Sequence, residues 1–147
     1  MAAIRRANPQ DTPAVLRLLR GYCEEVETPL SDDHLLSALD PLIADESLGD
    51  LFVAEQAGEL IGYVVITWGW GIESGGREAL VDEMYVDGPW RSQGVGTLLM
   101  THAISRAKEL DVKVVFLETE LDNPESRALY ERLGFENETS IWMSRAI

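Results

Sequence analysis

The sequence predicts an α/β fold: a mixed, mostly antiparallel central sheet with helices on both faces. Three observations lead there. First, Leu51 to Asp87 holds three apolar, β-rich runs separated by turn-forming residues at Gln56–Glu59 and Gly69–Gly76, the pattern of hairpin-linked strands. Second, Val95, Leu98, Leu99, His102 and Ala103 recur at helical spacing directly after that meander. Third, Val112 to Thr119 is a β-branched, apolar run of the kind a parallel strand needs when it is covered on both faces. The 147 residues suffice for one domain with its own core, and residues 1–147 read as a single unit without repeats or linkers.

Taken in order, Ile4–Ala7 is a short first strand and Asn8–Asp11 a turn. Asp11 or Thr12 is placed to cap a helix with Pro13 in its first turn, and Val15, Leu16, Leu18, Leu19 and Tyr22 give it an apolar face. Thr28-Pro29-Leu30 breaks that helix. Ser31 caps the next one, with Asp32 and Asp33 in the first turn, where negative charge is favoured. Its inner stripe is Leu35, Leu36, Leu39, Leu42 and Ile43, and Pro41 is placed to kink it. Strands are expected at Leu51–Glu55, Leu60–Trp68 and Glu78–Asp87, with Gly69–Gly76 as a loop carrying Trp70. A helix from Val95 to Leu110 and the strand Val112–Thr119 follow. A helix from Asn123 to Leu133 is stopped by Gly134, and Phe135–Arg145 reads as a last strand.

The formal charge of −14 repels phosphate backbones and argues against nucleic acid as a partner. No apolar run approaches the ~18 residues of a membrane span, and no apolar segment follows Arg5 and Arg6 as in a signal peptide. The single cysteine, Cys23, excludes an internal disulfide and reads as a small buried apolar residue. A cytoplasmic location is expected. Gly21 to Gly76 contains no lysine or arginine but twelve carboxylates.

The chemistry concentrates in Val81–Met100, which passes from strand through Gly88-Pro89 and a basic, glycine-containing loop into a helix. A helix N-terminus leaves N–H groups without intrahelical partners and carries about half a positive charge, so it suits phosphate. Gly94 and Gly96 let backbone approach a ligand closely. Arg91 adds a planar cation, and Ser92, Gln93 and Thr97 add donors. Arg91-x-x-Gly94-x-Gly96, placed after Met84-Tyr85-Val86, resembles the coenzyme A loop of the GNAT superfamily of N-acetyltransferases. A second block, Asn123 to Phe135, resembles that family's N-x(6)-Y-x-x-x-G-F segment.

The resemblance implies a sheet whose fourth and fifth strands splay apart to admit pantetheine. It implies acetyl-CoA as cosubstrate, held by Met84, Val86, Arg91, Ser92, Gln93, Gly94, Val95, Gly96, Thr97 and Asn123, with no metal. It also implies Tyr130 as the proton donor to the departing thiolate. For the base, Asp82 stands four residues before Val86, where several small-molecule acetyltransferases carry glutamate; Glu83 is one alternative, and loss of the proton to solvent without a dedicated base is the other. Adjacent strand residues face opposite sides, so at most one of them is expected at the reacting centre. Asn123 also reads as a helix N-cap. His34 and His102 read as surface or helix-face residues, and Trp68, Trp70 and Trp90 as either core or acceptor pocket. The family's first two helices form much of the acceptor wall, so the acidic stretch points to a small, cationic, polyamine-like amine. The alternatives are a protein lysine or N-terminal acetyltransferase and a non-catalytic acyl-CoA-binding module. Dimers are frequent in this superfamily, so a homodimer is an alternative to the monomer.

Overall fold

The structure is a computed structural model describing residues 1–147. Its strands are Ala3–Arg6 (β1), Gly49–Gln56 (β2), Glu59–Gly71 (β3), Gly76–Val86 (β4) and Val114–Leu117 (β5). Its helices are Thr12–Glu25 (α1), Asp32–Ala44 (α2), Val95–Glu109 (α3) and Pro124–Arg132 (α4). The strands lie in the order β1-β2-β3-β4-β5, antiparallel up to β4, with β4 and β5 parallel. No helix is long and apolar enough to cross a membrane.

The sheet separates two apolar layers. Val15, Leu18 and Leu19 of α1 and Leu35, Leu39 and Ile43 of α2 pack with Leu51, Val53, Tyr63 and Val65. On the other face Leu99, Met100, Ala103 and Ala107 of α3 pack with Phe52, Ala54, Ile61, Val64 and Ile66. Successive β2 residues therefore serve opposite layers, which is why this strand reads as an unbroken apolar run. Complete burial of a side chain such as Leu18 or Leu99 stabilises the fold by about 1.5–3 kcal/mol.

Polar contacts set the layers in register. Asp50 of β2 is 1% exposed, and it faces two guanidiniums, those of Arg6 on β1 and Arg106 on α3, the latter at 2.9 Å. Ser31 caps α2 as expected, accepting from the His34 N–H at 3.1 Å, and α2 runs through Pro41 to Ala44. Asp11 does not cap α1. Its carboxylate binds Arg5 at 2.7 Å and the Asn8 N–H at 2.8 Å, closing a short 3-10 turn at Pro9–Asp11. An ion pair to β1 thus wins over the cap.

Four expectations change. The segment Gly69–Gly76 is not all loop: β3 and β4 continue pairing to Gly71↔Gly76, leaving only the tip unpaired. The fifth strand is four residues rather than eight, because β4 accepts it only from Glu78 to Val81. Phe135–Arg145 forms no strand. Phe135 packs edge-on against Tyr130, but Ile141 and Met143 are exposed, and a segment without a ladder partner has nothing to satisfy its backbone.

The fourth change concerns β4. Val65 pairs with Glu83, but Ile66 pairs with Val81, so Asp82 is the extra residue of a β-bulge. Ala79, Val81, Met84 and Val86 all belong to the α3 layer. Asp82 and Glu83 fill an interval where strict alternation allows one residue. Glu83 accepts a hydrogen bond from Tyr63 on the α1 side, and Tyr22 of α1 feels both carboxylates. The strict alternation of side chains along β4 therefore does not hold at Asp82 and Glu83.

Candidate active site

Beyond Val81, β4 has no partner on its β5 side, and its edge from Asp82 to Val86 opens onto a cleft of about 960 Å³. The bulge begins where the pairing ends, because the extra residue turns β4 away from β5. Met84, Tyr85 and Val86 line one wall; Leu117, Glu118, Thr119 and α4 line the opposite wall. The N-terminus of α3 closes one end, and Tyr22 and Glu25 of α1 border the cleft from the other layer.

The α3 end is built to receive an anion. Gly94 sits at the N-cap with φ 84°, a left-handed conformation that favours glycine, and no side chain caps the helix. A Cβ on Gly94 would meet nothing within 4 Å, so the space beside it is open. Gly96 serves packing instead: a Cβ there would lie 3.4 Å from Leu129 of α4 and from Met84. Arg91, Ser92, Gly94, Val95, Gly96 and Thr97 line the cleft. Gln93 does not; its side chain donates to the Pro89 carbonyl at 3.1 Å. The Arg91 guanidinium donates to the Val86 carbonyl at 2.8 Å, pairs with Glu25 and stacks 5.3 Å from the centre of the Tyr85 ring. The cation of this loop thus ties it to the end of α1.

The titratable groups lie along the splayed edge. Tyr63 is fully buried and donates to Glu83 Oε1 at 2.7 Å. Burial pushes the Glu83 carboxyl up, the Tyr63 bond opposes this, and Asp82 adds to the rise. The neighbouring Asp82 is also raised by desolvation, although its side chain is exposed to the cleft. Burial, then Glu83 and Asp82, push the Tyr22 hydroxyl up to about 12. On the opposite wall Tyr130 is raised by burial alone, so its phenol is protonated at neutral pH. Its ring lies 6.1 Å from that of Phe135, centre to centre. Asn123 caps α4 by accepting from the Ser126 N–H at 3.2 Å, and its side chain also lines the cleft.

This is a splayed parallel pair, an uncapped helix N-terminus between its strands, and a phenol lining the same cleft as two raised carboxylates. The profile of the acetyltransferase (GNAT) family matches residues 12–135. The chain belongs to the GNAT acetyltransferase family. It is similar to an uncharacterized N-acetyltransferase, MJ1207, of Methanocaldococcus jannaschii, with 36% identity over 86 residues, covering 58% of this chain and only 38% of that protein. It is also similar to an L-methionine sulfoximine/L-methionine sulfone acetyltransferase of Pseudomonas aeruginosa, 29% identical over 92% of this chain and 80% of that one. Among solved structures, an integron cassette protein from a salt-marsh metagenome superposes with a TM-score of 0.88 at 26% identity, covering 98% of this chain and 90% of that one.

As a GNAT protein the chain is an acetyl-CoA-dependent N-acetyltransferase, and acetyl-CoA is the family's cosubstrate. The open, uncapped α3 N-terminus fits the pyrophosphate of that molecule. Gly94→Val should weaken acetyl-CoA binding at least tenfold by calorimetry, since it fills the open space and strains a left-handed backbone by about 1–2 kcal/mol. Wild-type affinity in that variant would move the phosphate site elsewhere.

The acidic wall of this acetyltransferase is not the one the sequence suggested. In the lysine- and arginine-free stretch, Asp32 pairs with Arg20, Glu46 with Arg6, Glu55 with Arg5, and Asp50 is buried. Of the carboxylates of that stretch, only Glu25 lines the cleft. The others that do are Asp82, Glu83, Glu118, Glu120 and Glu125, against two cations, Arg91 and Arg132. His102 packs edge-on against Phe52 at 4.6 Å, away from the cleft. Of the tryptophans, Trp90 and Trp142 line the cleft, Trp68 donates to the Glu46 carbonyl, and Trp70 is exposed. Tyr22, Tyr63 and Tyr85 escaped the sequence reading because tyrosine in an amphipathic helix or strand looks like core. Their clustering around Glu83 needs the β3–β4 register to be seen.

Proposed function

We propose that this acetyltransferase moves the acetyl group of acetyl-CoA directly onto the primary amine of a small, cationic acceptor within a ternary complex. The observation that carries the reading is the cleft itself: six carboxylates and two arginines line it. Such walls attract cations and raise their local concentration. The Pseudomonas relative acts, by its name, on amino-acid-sized amines, which supports a small acceptor.

Each residue then has a task. The N–H groups at Gly94 to Thr97 hold the pyrophosphate, with Ser92 beside them. Arg91 keeps that loop against Val86 and α1, and the free edge at Met84 and Val86 takes the pantetheine as an added strand. A lysine-like amine has a pKa near 10.4, so freeing it at pH 7 costs about 4–5 kcal/mol. One carboxylate of the Asp82–Glu83 pair accepts that proton. Tyr130, kept protonated by burial, gives its proton to the departing sulfur. Asn123 caps the helix that carries Tyr130.

Release of free thiol from acetyl-CoA across monoamines, diamines, polyamines, an amino-acid sulfoximine and lysine-bearing or free-N-terminal peptides tests the reading. Small cationic amines should be the fastest acceptors. For a diamine, kcat/KM should fall with added salt, since screening acts over about 8–10 Å at physiological ionic strength. A neutral-tailed amine should respond less. Activity confined to peptides would replace this reading with protein acetylation.

A further inference from the structure

We propose that Tyr63 is a positioning residue that fixes Glu83, rather than Asp82, as the base for the acceptor ammonium. The inference rests on the small-amine acetyl transfer just described. Its ground is geometry. Tyr63 is fully buried in the middle of β3, and its hydroxyl is 2.7 Å from Glu83 Oε1, within the range of a strong bond to an ionised acceptor. The β4 bulge brings Glu83 to the α1 side, opposite Val65 and diagonally across from that tyrosine, and into the cleft wall. Asp82 has no hydrogen-bond partner and is exposed, so nothing holds its carboxylate in one orientation.

The surroundings of Glu83 lack a counter-ion. Its neighbours are Tyr63 from β3, Tyr22 and Cys23 from α1, and Asp82 on its own strand. Every one of these is neutral or negative, and no arginine or lysine pairs with Glu83. Tyr85, the next aromatic ring, is tied to Arg91 instead. A half-buried carboxylate is costly unless a positive charge meets it. The acceptor ammonium supplies that charge, and Tyr63 leaves one lobe of the carboxylate aimed at it.

The proton count closes. The ammonium gives one proton to Glu83, and the freed lone pair attacks the thioester carbonyl carbon. The carbon–sulfur bond breaks, sulfur leaves with its electron pair, and Tyr130 protonates it. The nitrogen loses its second proton, which restores Tyr130 through water, while Glu83 releases its proton to solvent. One proton is released per turnover.

The test compares Tyr63→Phe, Glu83→Gln, Asp82→Asn and the Tyr63→Phe/Glu83→Gln double variant. The wild-type bond favours the ionised form of Glu83 and opposes the upward push of burial. Removing the hydroxyl should therefore raise the pKa of Glu83, move the acid limb of kcat/KM to higher pH, and cut the rate at neutral pH roughly ten- to a hundredfold. Acetyl-CoA affinity should not change. In the Glu83→Gln background, Tyr63→Phe should have no further effect on rate, because the titrating carboxylate that it positions is already gone. Asp82→Asn should move the acid limb the other way, to lower pH, because it removes the negative neighbour that adds to the rise at Glu83. An unmoved acid limb in Tyr63→Phe, or an equal loss in both backgrounds, overturns the inference while leaving the enzyme's reaction class intact. If Glu83→Gln itself leaves the profile unchanged, the base assignment falls as well. Should Tyr63→Phe not fold, NMR of the wild type decides. The Tyr63 ring signals should then titrate with the same midpoint as the acid limb, and an independent midpoint overturns the proposal.

Discussion

Replacing Tyr130 by phenylalanine should lower kcat roughly 100- to 10,000-fold while acetyl-CoA affinity stays within about twofold, the magnitude expected when only a general acid is lost. Phenylalanine keeps the ring, so the edge-on packing against Phe135 and the contact with the α3 layer survive. What disappears is one O–H on the cleft wall. Burial holds that phenol above its ordinary value, so it carries its proton throughout the neutral range and can give it to a thiolate. Without it the leaving group must be protonated by water. The loss should be largest with an unactivated thioester and smaller where sulfur leaves easily. Single-turnover kinetics separate this from slow product release. An unchanged chemical step would return Tyr130 to a packing role and leave the thiolate to solvent.

Asp50→Ala should destabilise the fold by about 3 kcal/mol, near the lower end of the range for removing one partner of a buried ion pair. Asp50 is 1% exposed, while Arg6 and Arg106 are 25% and 30% exposed, so solvent can partly rescue the orphaned cations. Two guanidiniums would face each other across β2, each left with only an exposed carboxylate, Glu46 for Arg6 and Glu109 for Arg106. For a domain of this size, 3 kcal/mol corresponds to a fall in Tm of about 6–12 °C. The urea midpoint should drop without a change in slope, because the surface exposed on unfolding is the same. Asp50 lies outside the cleft, so kcat per folded molecule should hold. A loss below 1 kcal/mol would mean that the two arginines reach solvent easily and that the apolar layers alone join β1 to α3.

The fold was readable because its signals are local. Hairpin turns, helical periodicity and caps at Ser31 and Asn123 depend on neighbours within a few residues. The same holds for Gly94: an uncapped, left-handed glycine at a helix N-terminus is a local conformation, and the Arg91-x-x-Gly94-x-Gly96 spacing announces it. Misreadings came where a local signal was outvoted by a distant partner. Asp11 left its cap for Arg5. Gly69 and Trp70 looked like loop, yet Glu78 and Arg77 extend the ladder to them. Phe135–Arg145 has strand-like composition but pairs with no strand, and composition alone cannot supply a partner.

By itself, then, the amino-acid order determined the mixed sheet, its four helices, the acetyl-CoA loop and the candidate phenol at Tyr130. Only the tertiary structure decided which carboxylates face the cleft. The lysine- and arginine-free stretch is acidic in sequence, but four of its twelve carboxylates pair with Arg5, Arg6 and Arg20, only Glu25 reaches the cleft, and the rest of the acidic wall comes from β4, the end of β5 and α4. The bulge at Asp82 belongs to the same class. A one-residue slip between β3 and β4 leaves no mark in either strand read alone, because register is a property of the pair. Yet that slip places Glu83 beside Tyr63 and turns β4 away from β5 to open the cleft.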